Sequence, residues 1–249
     1  MKSFKQFLVE DISLEYHDEL NQKLFDGDTL REDVRLKLLE FTHSWVTFAN
    51  AGHHFLKPDM VKDVYMTGGN VNYNYTSQSD IDIHVIVDKS KVEDVEVFDK
   101  LMDDAKQLWT ATYGKDIHIK GYPVEPYAQD ETMKLPEGQG AYSVMRNVWV
   151  VKPENKHLDF TNNKSLEKKA DKYEDIINRM IQNKASMDEL TDLSSKLYNM
   201  RGNSIAKNGE FAFWNLVYKE LRNRGVLDKL KNYKKDELDK KLSLEHIEQ

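Results

Sequence analysis

Hydrophobic residues in the first fifty positions recur at intervals of three and four, which is the spacing of one face of a helix. The pattern runs from Leu14 to Phe25 and again from Leu30 to Phe48, and it predicts two amphipathic helices. Between them, residues 26–29 read Asp-Gly-Asp-Thr and predict a turn that also supplies a helix N-cap. The N-terminal region is therefore predicted to be helical.

Short β-rich segments replace this pattern after Pro58. Residues 61–67 are rich in β-forming side chains and end at a Gly-Gly pair, which predicts a strand and a turn. Residues 81–87 alternate strictly between apolar and polar side chains and predict a half-buried strand. The later segments predict a helix over 92–112 and strands over 117–120, 124–127 and 141–151.

Helical periodicity takes over beyond Pro153, where the β-rich segments end. The predicted helices span roughly 164–183, 187–200, 210–224 and 235–246. The whole pattern indicates an α+β fold in two domains, which 249 residues can accommodate. We predict a core domain with a mixed β-sheet at 1–152 and a helical domain at 153–249.

Composition narrows the possible classes of function and the choice of metal. Charged residues make up 32% of the chain and mean hydropathy is −0.71, so no segment is apolar enough to cross a bilayer. The first ten residues lack the apolar run of a secretory signal, and we expect a cytoplasmic protein without a membrane partner. The chain has no cysteine, so any metal is expected to prefer oxygen ligands.

Charge is distributed unevenly between the two halves of the chain. Residues 1–150 contain 16 Lys and Arg against 26 Asp and Glu, a charge of −10. Residues 151–249 contain 20 against 17, a charge of +3, which gives the total of −7. The acidic first half disfavours sequence-independent duplex binding, because that binding depends on basic side chains that neutralise phosphates. A small nucleotide or one local nucleic-acid end is compatible with this charge.

The stretch over residues 67–85 combines a glycine turn with two closely spaced acids. Gly68 and Gly69 end a predicted strand, where the backbone can approach a ligand and turn amides can bind phosphate oxygens. Asp80 and Asp82 are two positions apart on the next strand, so their carboxylates project from one face. Such a pair repels itself unless protons or cations compensate it, and hard divalent cations are the natural compensation.

The alternative interpretation is an exposed pair of aspartates on a solvent-facing strand, with glycines that only make a turn. Aspartate is a poor strand former, so two aspartates within an Ile- and Val-rich strand conflict with the local pattern. Conflicts of this kind concentrate at functional sites. We therefore interpret the stretch as a site.

The glycine pair, a spacer of ten residues and Asp80-Ile81-Asp82 resemble the signature of the polymerase-beta-like nucleotidyltransferases. Residues 67–87, 122–130 and 142–144 are similar to a branch of this superfamily found in tailed-phage genomes. The resemblance spans roughly residues 25–155 and implies a nucleotidyltransferase-type mixed β-sheet core with N-terminal helices. A phage-encoded protein of this kind would act in the cytoplasm of a host cell.

The resemblance implies a Mg²⁺-dependent enzyme that transfers an NMP from an NTP to an acceptor hydroxyl and releases pyrophosphate. Two Mg²⁺ ions, which Mn²⁺ can replace, would be held by three carboxylates, with ATP favoured as donor by the habits of the superfamily. The third carboxylate is matched by Glu125, for which an exposed strand-end glutamate is the alternative. The residues implied to hold phosphate oxygens or line the nucleotide cleft are Gly68, Gly69, Ser77, Ser79 and Tyr142.

Two features depart from the family pattern: Gly69 stands where many relatives have serine, and Pro126 is expected to interrupt the third strand. A nucleotide-binding or interaction protein without turnover is therefore an alternative function. A third possibility is an enzyme that modifies a protein side chain, so the acceptor is left open between a nucleotide, an RNA end and a protein.

Further residues are weaker candidates for the site. His84 continues the aspartate face, where a supporting or merely packed histidine is the favoured interpretation. Tyr73 and Tyr75 lie in the spacer, where they could stack on a base or pack on their own scaffold. Arg201 and Lys207 beside a predicted turn at 202–204 could reach the triphosphate, but solvated surface is the favoured interpretation. Asp116 or Asp130 are the replacements for Glu125 if that residue is not the third carboxylate.

Overall fold

The computed structural model describes residues 12–51, 55–114, 116–160 and 163–243. They form two compact units: residues 16–157 make one, and residues 12–15 with those from 158 onward make the other. The N-terminal ten residues, on which the expectation of no secretory signal rests, lie outside the described residues.

The strands are β1 (Phe25–Asp26), β2 (Thr29–Leu30), β3 (Val61–Thr67), β4 (Ile81–Val87), β5 (His118–Ile119), β6 (Tyr122–Asp130), β7 (Ala141–Ser143) and β8 (Val148–Val151). The helices are α1 (Glu32–Ala49), α2 (Val95–Tyr113), α3 (Lys164–Gln182), α4 (Met187–Asn208), α5 (Phe213–Asn223) and α6 (Val226–Leu242). No described helix has both the length and the apolar character that a membrane span requires.

A six-stranded sheet in the order β5-β6-β4-β3-β7-β8 is the centre of the first unit. The β4 and β6 strands are parallel, with α2 in the connection between them, and the other neighbours are antiparallel. One face of the sheet packs against α1 and α2 through a large apolar core. Core side chains from the sheet and the two helices include Val64, Met66, Ile81, Ile83, Val124, Val34, Leu38, Trp45, Phe98 and Trp109.

The other face of the sheet carries polar side chains, because strand residues alternate between the two faces. On β4 the polar face holds Asp82 and His84, whose neighbours on the core face are Ile81, Ile83 and Val85. The combination of a mixed β-sheet with helices was predicted from the sequence. The polar face of this sheet is where the candidate chemistry lies.

The helix predicted from Leu14 to Phe25 is wrong. The segment is irregular and ends in a two-strand hairpin of β1 and β2, although Leu14, Leu20, Leu24 and Phe25 are buried. Gly27, at a φ of +56°, makes the turn of this hairpin. The apolar residues of this segment have helical spacing and are buried, although the backbone does not form a helix.

Pro126 does not interrupt the third strand, since β6 runs continuously from Tyr122 to Asp130. The Val124 amide donates to the backbone oxygen of Ile117, on the side of β6 that faces β5. Position 126, two residues along the strand, directs its backbone nitrogen to the same side. The β5 pairing ends at Pro123, so no described strand needs a donor from Pro126. An unpaired edge tolerates proline for this reason.

Other boundaries also differ from the predicted ones. Residues 141–151 form two strands, β7 and β8, rather than one, with Asn147 at a φ of +57° between them. Residues 202–204, predicted to form a turn, are part of α4, which continues to Asn208. The last helix begins earlier than expected, at Val226, and the end of its predicted span lies outside the described residues.

Candidate active site

The turn after β3 is shaped by contact between backbone and carboxylate. Gly68 has a φ of +83°, a conformation that glycine adopts without steric strain. A Cβ atom at this position would lie 2.1 Å from Oδ2 of Asp82. Only glycine lets the Asp82 carboxylate lie against the backbone of the turn, so the glycine and the acid are coupled in space.

Three carboxylates converge beside this turn. Asp82 pairs in register with Thr67 on one side and with Glu125 on the other, and Asp80 immediately precedes β4. Carboxylate oxygens of Asp80, Asp82 and Glu125 all lie within 4.8 Å of one another, and all three residues are half-buried. The donor set consists of oxygen alone, which fits a hard divalent cation such as Mg²⁺ or Mn²⁺.

Two buried asparagines hold the spacer loop beside the carboxylates. Asn70 Nδ2 donates to the backbone oxygen of Asp80 at 2.9 Å, and Asn70 Oδ1 accepts from Asn21 at 2.8 Å. Asn72 Nδ2 donates to the backbone oxygen of Gly68 at 2.8 Å, and Asn72 Oδ1 accepts from Gly140 at 3.0 Å. These bonds fix the positions of one carboxylate and of the glycine turn.

Sequence reasoning gave no role to Asn70 or Asn72. Their position could have indicated a role, because the spacer has asparagine at 70, 72 and 74. Amide side chains in a turn can bond the backbone N–H and C=O groups that have no partner in a strand or helix. Burial of an amide group is favourable only when its hydrogen bonds are made, and both side chains are almost completely buried.

The predicted phosphate-binding residues occupy different environments. Ser79 is buried, and its Oγ accepts from the Thr76 amide at 2.9 Å, which closes the turn before Asp80. The same Oγ would lie 3.2 Å from a Cβ at Gly69, so the Ser79 hydroxyl fills the space beside that glycine. Ser77 is exposed at the tip of the turn. Phosphate binding by Gly68, Gly69, Ser77 and Ser79 stays a prediction.

His84 is held at both ring nitrogens on the polar face. Gln129 Nε2 lies 3.5 Å from the backbone oxygen of Met133, which turns Oε1 toward His84 Nδ1. The Nδ1–H therefore donates to Gln129, and Nε2 accepts from the Thr67 hydroxyl at 3.1 Å. Burial lowers the pKa of His84 below its usual value, although the hydrogen bond to Gln129 acts in the opposite direction. The ring supports the strand next to Asp82.

Tyr142 lies on the opposite face of the sheet from the three carboxylates, since it pairs with Met66 while Asp82 pairs with Thr67. Its ring is 1% exposed and packs edge-on against Phe25. Its hydroxyl donates to Asn147 at 3.0 Å. The expectation that Tyr142 lines the nucleotide cleft therefore needs correction: the side chain belongs to the core.

The spacer tyrosines pack on their own scaffold. Tyr75 stacks on His17 with 3.9 Å between ring centroids, and Tyr73 stacks on Tyr16 at 6.2 Å. His17 also holds this loop through its backbone amide, which donates to the backbone oxygen of Tyr73 at 2.7 Å. The stacking surfaces proposed for a base are used, at least on one side, within the protein.

The weaker candidates lie apart from the carboxylate cluster. Asp130 ends β6 and accepts from the amide and hydroxyl of Thr132, which lower its pKa. Asp116 is exposed before β5, and Arg201 and Lys207 belong to α4 in the other unit. Among the described acids and histidines, the metal-compatible group consists of Asp80, Asp82 and Glu125.

Comparisons with known proteins give distant similarities only. No protein-family model matches the chain, and no curated protein matches it. A CdnE cyclic dinucleotide synthase from Elizabethkingia meningoseptica, solved with GTP and Apcpp, matches at 13% identity and a TM-score of 0.22, over 80% of this chain and 85% of that one. A STING-associated CdnE c-di-GMP synthase from Capnocytophaga granulosa matches at 15% identity and a TM-score of 0.22, over 82% and 84%. At this level of similarity, the functional conclusion must come from the chain's own site.

Proposed function

We propose that the protein is a divalent-cation-dependent nucleotidyltransferase that transfers an NMP from an NTP to an acceptor hydroxyl. The observation that supports it is the convergence of Asp80, Asp82 and Glu125 within 4.8 Å beside the Gly68-Gly69 turn. Acidic clusters are common on protein surfaces. This one lies on adjacent strands next to a turn that admits only glycine, and it follows the spacing of a nucleotidyltransferase signature.

Each carboxylate has a distinct assignment in this proposal. Asp82 lies on β4 and Asp80 lies in the turn just before it, and the two would hold the cations that bind the triphosphate donor. Glu125 approaches from the neighbouring parallel strand and would serve the acceptor side. When bound, the cations would neutralise the triphosphate and lower the pKa of the acceptor hydroxyl.

The reaction balances without any further reactant. The acceptor oxygen forms a bond to the α-phosphorus, the bond from that phosphorus to the bridging oxygen breaks, and pyrophosphate leaves. The hydroxyl proton passes to solvent or to the Glu125 carboxylate. The chain's own contribution is to fix the carboxylates through Asn70 and Gly68 and to present turn amides to phosphate oxygens.

The proposal supports the class of donor better than it supports the class of acceptor. A cluster of three carboxylates beside a glycine turn supports an NTP as the donor. The preference for ATP among the NTPs comes from the family resemblance alone. A nucleotide, an RNA end and a protein side chain are the acceptor classes to compare. The acidic first half of the chain favours a small or protein acceptor slightly over a long nucleic acid.

The test is a survey of labelled NTPs. Purified protein is incubated with each NTP and Mg²⁺ or Mn²⁺, alone and with RNA, while pyrophosphate and labelled products are measured. The proposal predicts cation-dependent pyrophosphate release with at least one NTP and a labelled product. Tight NTP binding without pyrophosphate or product under every condition would contradict an enzyme and support a nucleotide-binding protein.

A further inference from the structure

A second pocket lies wholly within the helical unit, between α4, α5 and α6. Its volume is about 360 Å³, toward the lower end of the range of roughly 300 to 1,000 Å³ usual for small-molecule sites. It is lined by Ser194 and Leu197 of α4, Tyr218 and Arg222 of α5, and Leu227, Asp228, Leu230, Lys231 and Lys234 of α6. None of these residues belongs to the unit that carries the three carboxylates.

The pocket has an excess of positive charge. Arg222, Lys231 and Lys234 supply three cations against the single carboxylate of Asp228. Within the described residues, none of these three cations forms an ion pair, whereas Lys219 and Arg224 nearby are both paired with acids. Unpaired cations that converge on one cavity make it a site for an anion.

Arg222 is the cation of the pocket whose guanidinium is least satisfied by the protein itself. Its Nε is buried and has no hydrogen-bond partner among the described residues. A buried donor without a partner costs about 1 to 3 kcal/mol, more for a charged group, so native proteins rarely keep one without a reason. Arg222 also lines the pocket and forms no ion pair within the described residues, so an anionic group there would bind the guanidinium nitrogens other than Nε.

The remaining walls suit a flat apolar group. Tyr218 contributes an aromatic ring, and the Arg201 guanidinium lies over that ring at 4.9 Å from its centroid. Leu197, Leu227 and Leu230 provide apolar surface on the neighbouring helices. A ring that stacks on tyrosine beside leucine side chains, attached to an anion that meets Arg222, matches these walls.

We propose that the pocket between α4, α5 and α6 binds a nucleoside monophosphate or a small molecule of the same class, with a phosphate group and an aromatic ring. The phosphate meets Arg222, Lys231 and Lys234, and the ring packs on Tyr218 and the leucines. This site is separate from the triad of the proposed function and needs no divalent cation.

Binding of AMP is measured by titration calorimetry with the full chain in EDTA, which removes any cation-dependent binding at the carboxylates. Adenosine and inorganic phosphate are the matched probes that each lack one half of the ligand. We expect AMP to bind more tightly than either probe, with an affinity that falls as salt rises. Arg222→Gln should weaken AMP binding about tenfold, as loss of one charged hydrogen bond implies.

Two variants keep the test specific to the pocket. Asp228→Asn removes the only acid of the lining and should strengthen AMP binding, an outcome that misfolding would not produce. Lys235→Ala removes an equal charge from exposed α6 surface outside the lining and should leave the affinity unchanged. The Asp80→Asn/Asp82→Asn double variant should also bind AMP normally in EDTA.

Several results would overturn the proposal. The pocket would not be the site if AMP bound equally well to wild type and to Arg222→Gln, or if it bound the Asp80→Asn/Asp82→Asn variant much more weakly. Absence of AMP binding at millimolar concentration would also reject it. Salt-dependent binding of short single-stranded RNA, with no binding of AMP, would assign these cations to a nucleic-acid surface instead.

Discussion

At the scale of single residues, the site depends on a contact between a glycine and an acid. Gly68 must adopt a positive φ, and the space that its side chain would occupy is filled by the Asp82 carboxylate. The sequence indicated a turn at this position but not the contact, because contact between positions 68 and 82 arises only when β3 and β4 pair. The position of Asn70 and Asn72 in the spacer was a partial signal, but their amide oxygens accept from Asn21 and Gly140, which are distant in sequence.

Gly68→Ala should displace Asp82 and so weaken Mn²⁺ binding by about 10- to 100-fold, the effect usual for groups that orient a ligand. Gly121→Ala is the matched control, since Gly121 has a similar φ of +89° but no atom near its Cβ position. The control should lose about 1 to 2 kcal/mol of stability through backbone strain and keep Mn²⁺ affinity. Equal Mn²⁺ affinity in both variants, measured by calorimetry, would disprove the proposed contact.

Glu125→Gln keeps the size of the side chain and removes its charge. If Glu125 serves the acceptor side, the chemical step should slow by about 100-fold or more while NTP affinity changes much less. Single-turnover rates and equilibrium binding of a non-hydrolysable NTP separate the two quantities, with Glu131→Gln as control just beyond the same strand. An equal loss of binding and rate would place Glu125 on the donor side, and no effect on either would support an exposed strand-end residue.

At the scale of elements, hydrophobic periodicity was sufficient where one face of an element packs on a single core. It predicted α1, α2, α3, β3 and β4 closely. It failed at residues 14–25, where apolar side chains are buried along an irregular segment, and at Gly202, which α4 accommodates without a break. The parallel pairing of β4 with β6, which brings Glu125 beside Asp82, is a tertiary property that local spacing does not encode.

Helix α5 is anchored by a buried acid, and its removal should destabilise the helical unit. Glu220 is completely buried and accepts from Arg224 at 2.7 Å and from the Ser13 hydroxyl at 2.7 Å. Glu220→Ala removes the acceptor of the buried Arg224 Nε and of the Ser13 hydroxyl, while Arg224 keeps Asp171 and Glu174. It should therefore lower the unfolding free energy by about 1.5 to 3 kcal/mol. The measurement is urea denaturation followed by far-UV circular dichroism.

Glu174→Ala is the matched control for Glu220→Ala. Glu174 accepts from the same arginine at 3.1 Å, but its side chain is 30% exposed. An ion pair near the surface contributes at most about 1 kcal/mol. Similar small losses in both variants would show that the buried pair does not anchor α5.

At the scale of the whole molecule, the sequence indicated a mixed sheet followed by helices and a metal-compatible site. The signature over residues 67–82 was readable because glycines, spacer and acids are close in sequence. The face of the sheet on which Tyr142 lies could not be predicted from the sequence, because a shift of one residue in register moves a side chain to the other face. The helical-unit pocket had no sequence signal, since its lining comes from three separate helices.

Divalent cation and NTP together should stabilise the native protein, because a ligand that binds only the folded state adds its binding free energy. At about 100 times the dissociation constant, this stabilisation is about 2.7 kcal/mol. Thermal melts with Mg²⁺ and NTP should show a higher Tm than melts in EDTA. The shift should disappear in Asp80→Asn/Asp82→Asn, and an unchanged shift there would place the cation and nucleotide elsewhere.

The most direct test of the central claim is pyrophosphate release by Asp80→Asn and Asp82→Asn, measured with the NTP and cation that support the wild-type reaction. Both variants should fold, with a Tm in EDTA no lower than wild type, because each removes one of three carboxylates that lie within 4.8 Å. Both should lose transfer, while Asp130→Asn, outside the triad, should keep it. Wild-type turnover in either triad variant would contradict the proposal that these carboxylates form the metal site of a nucleotidyltransferase.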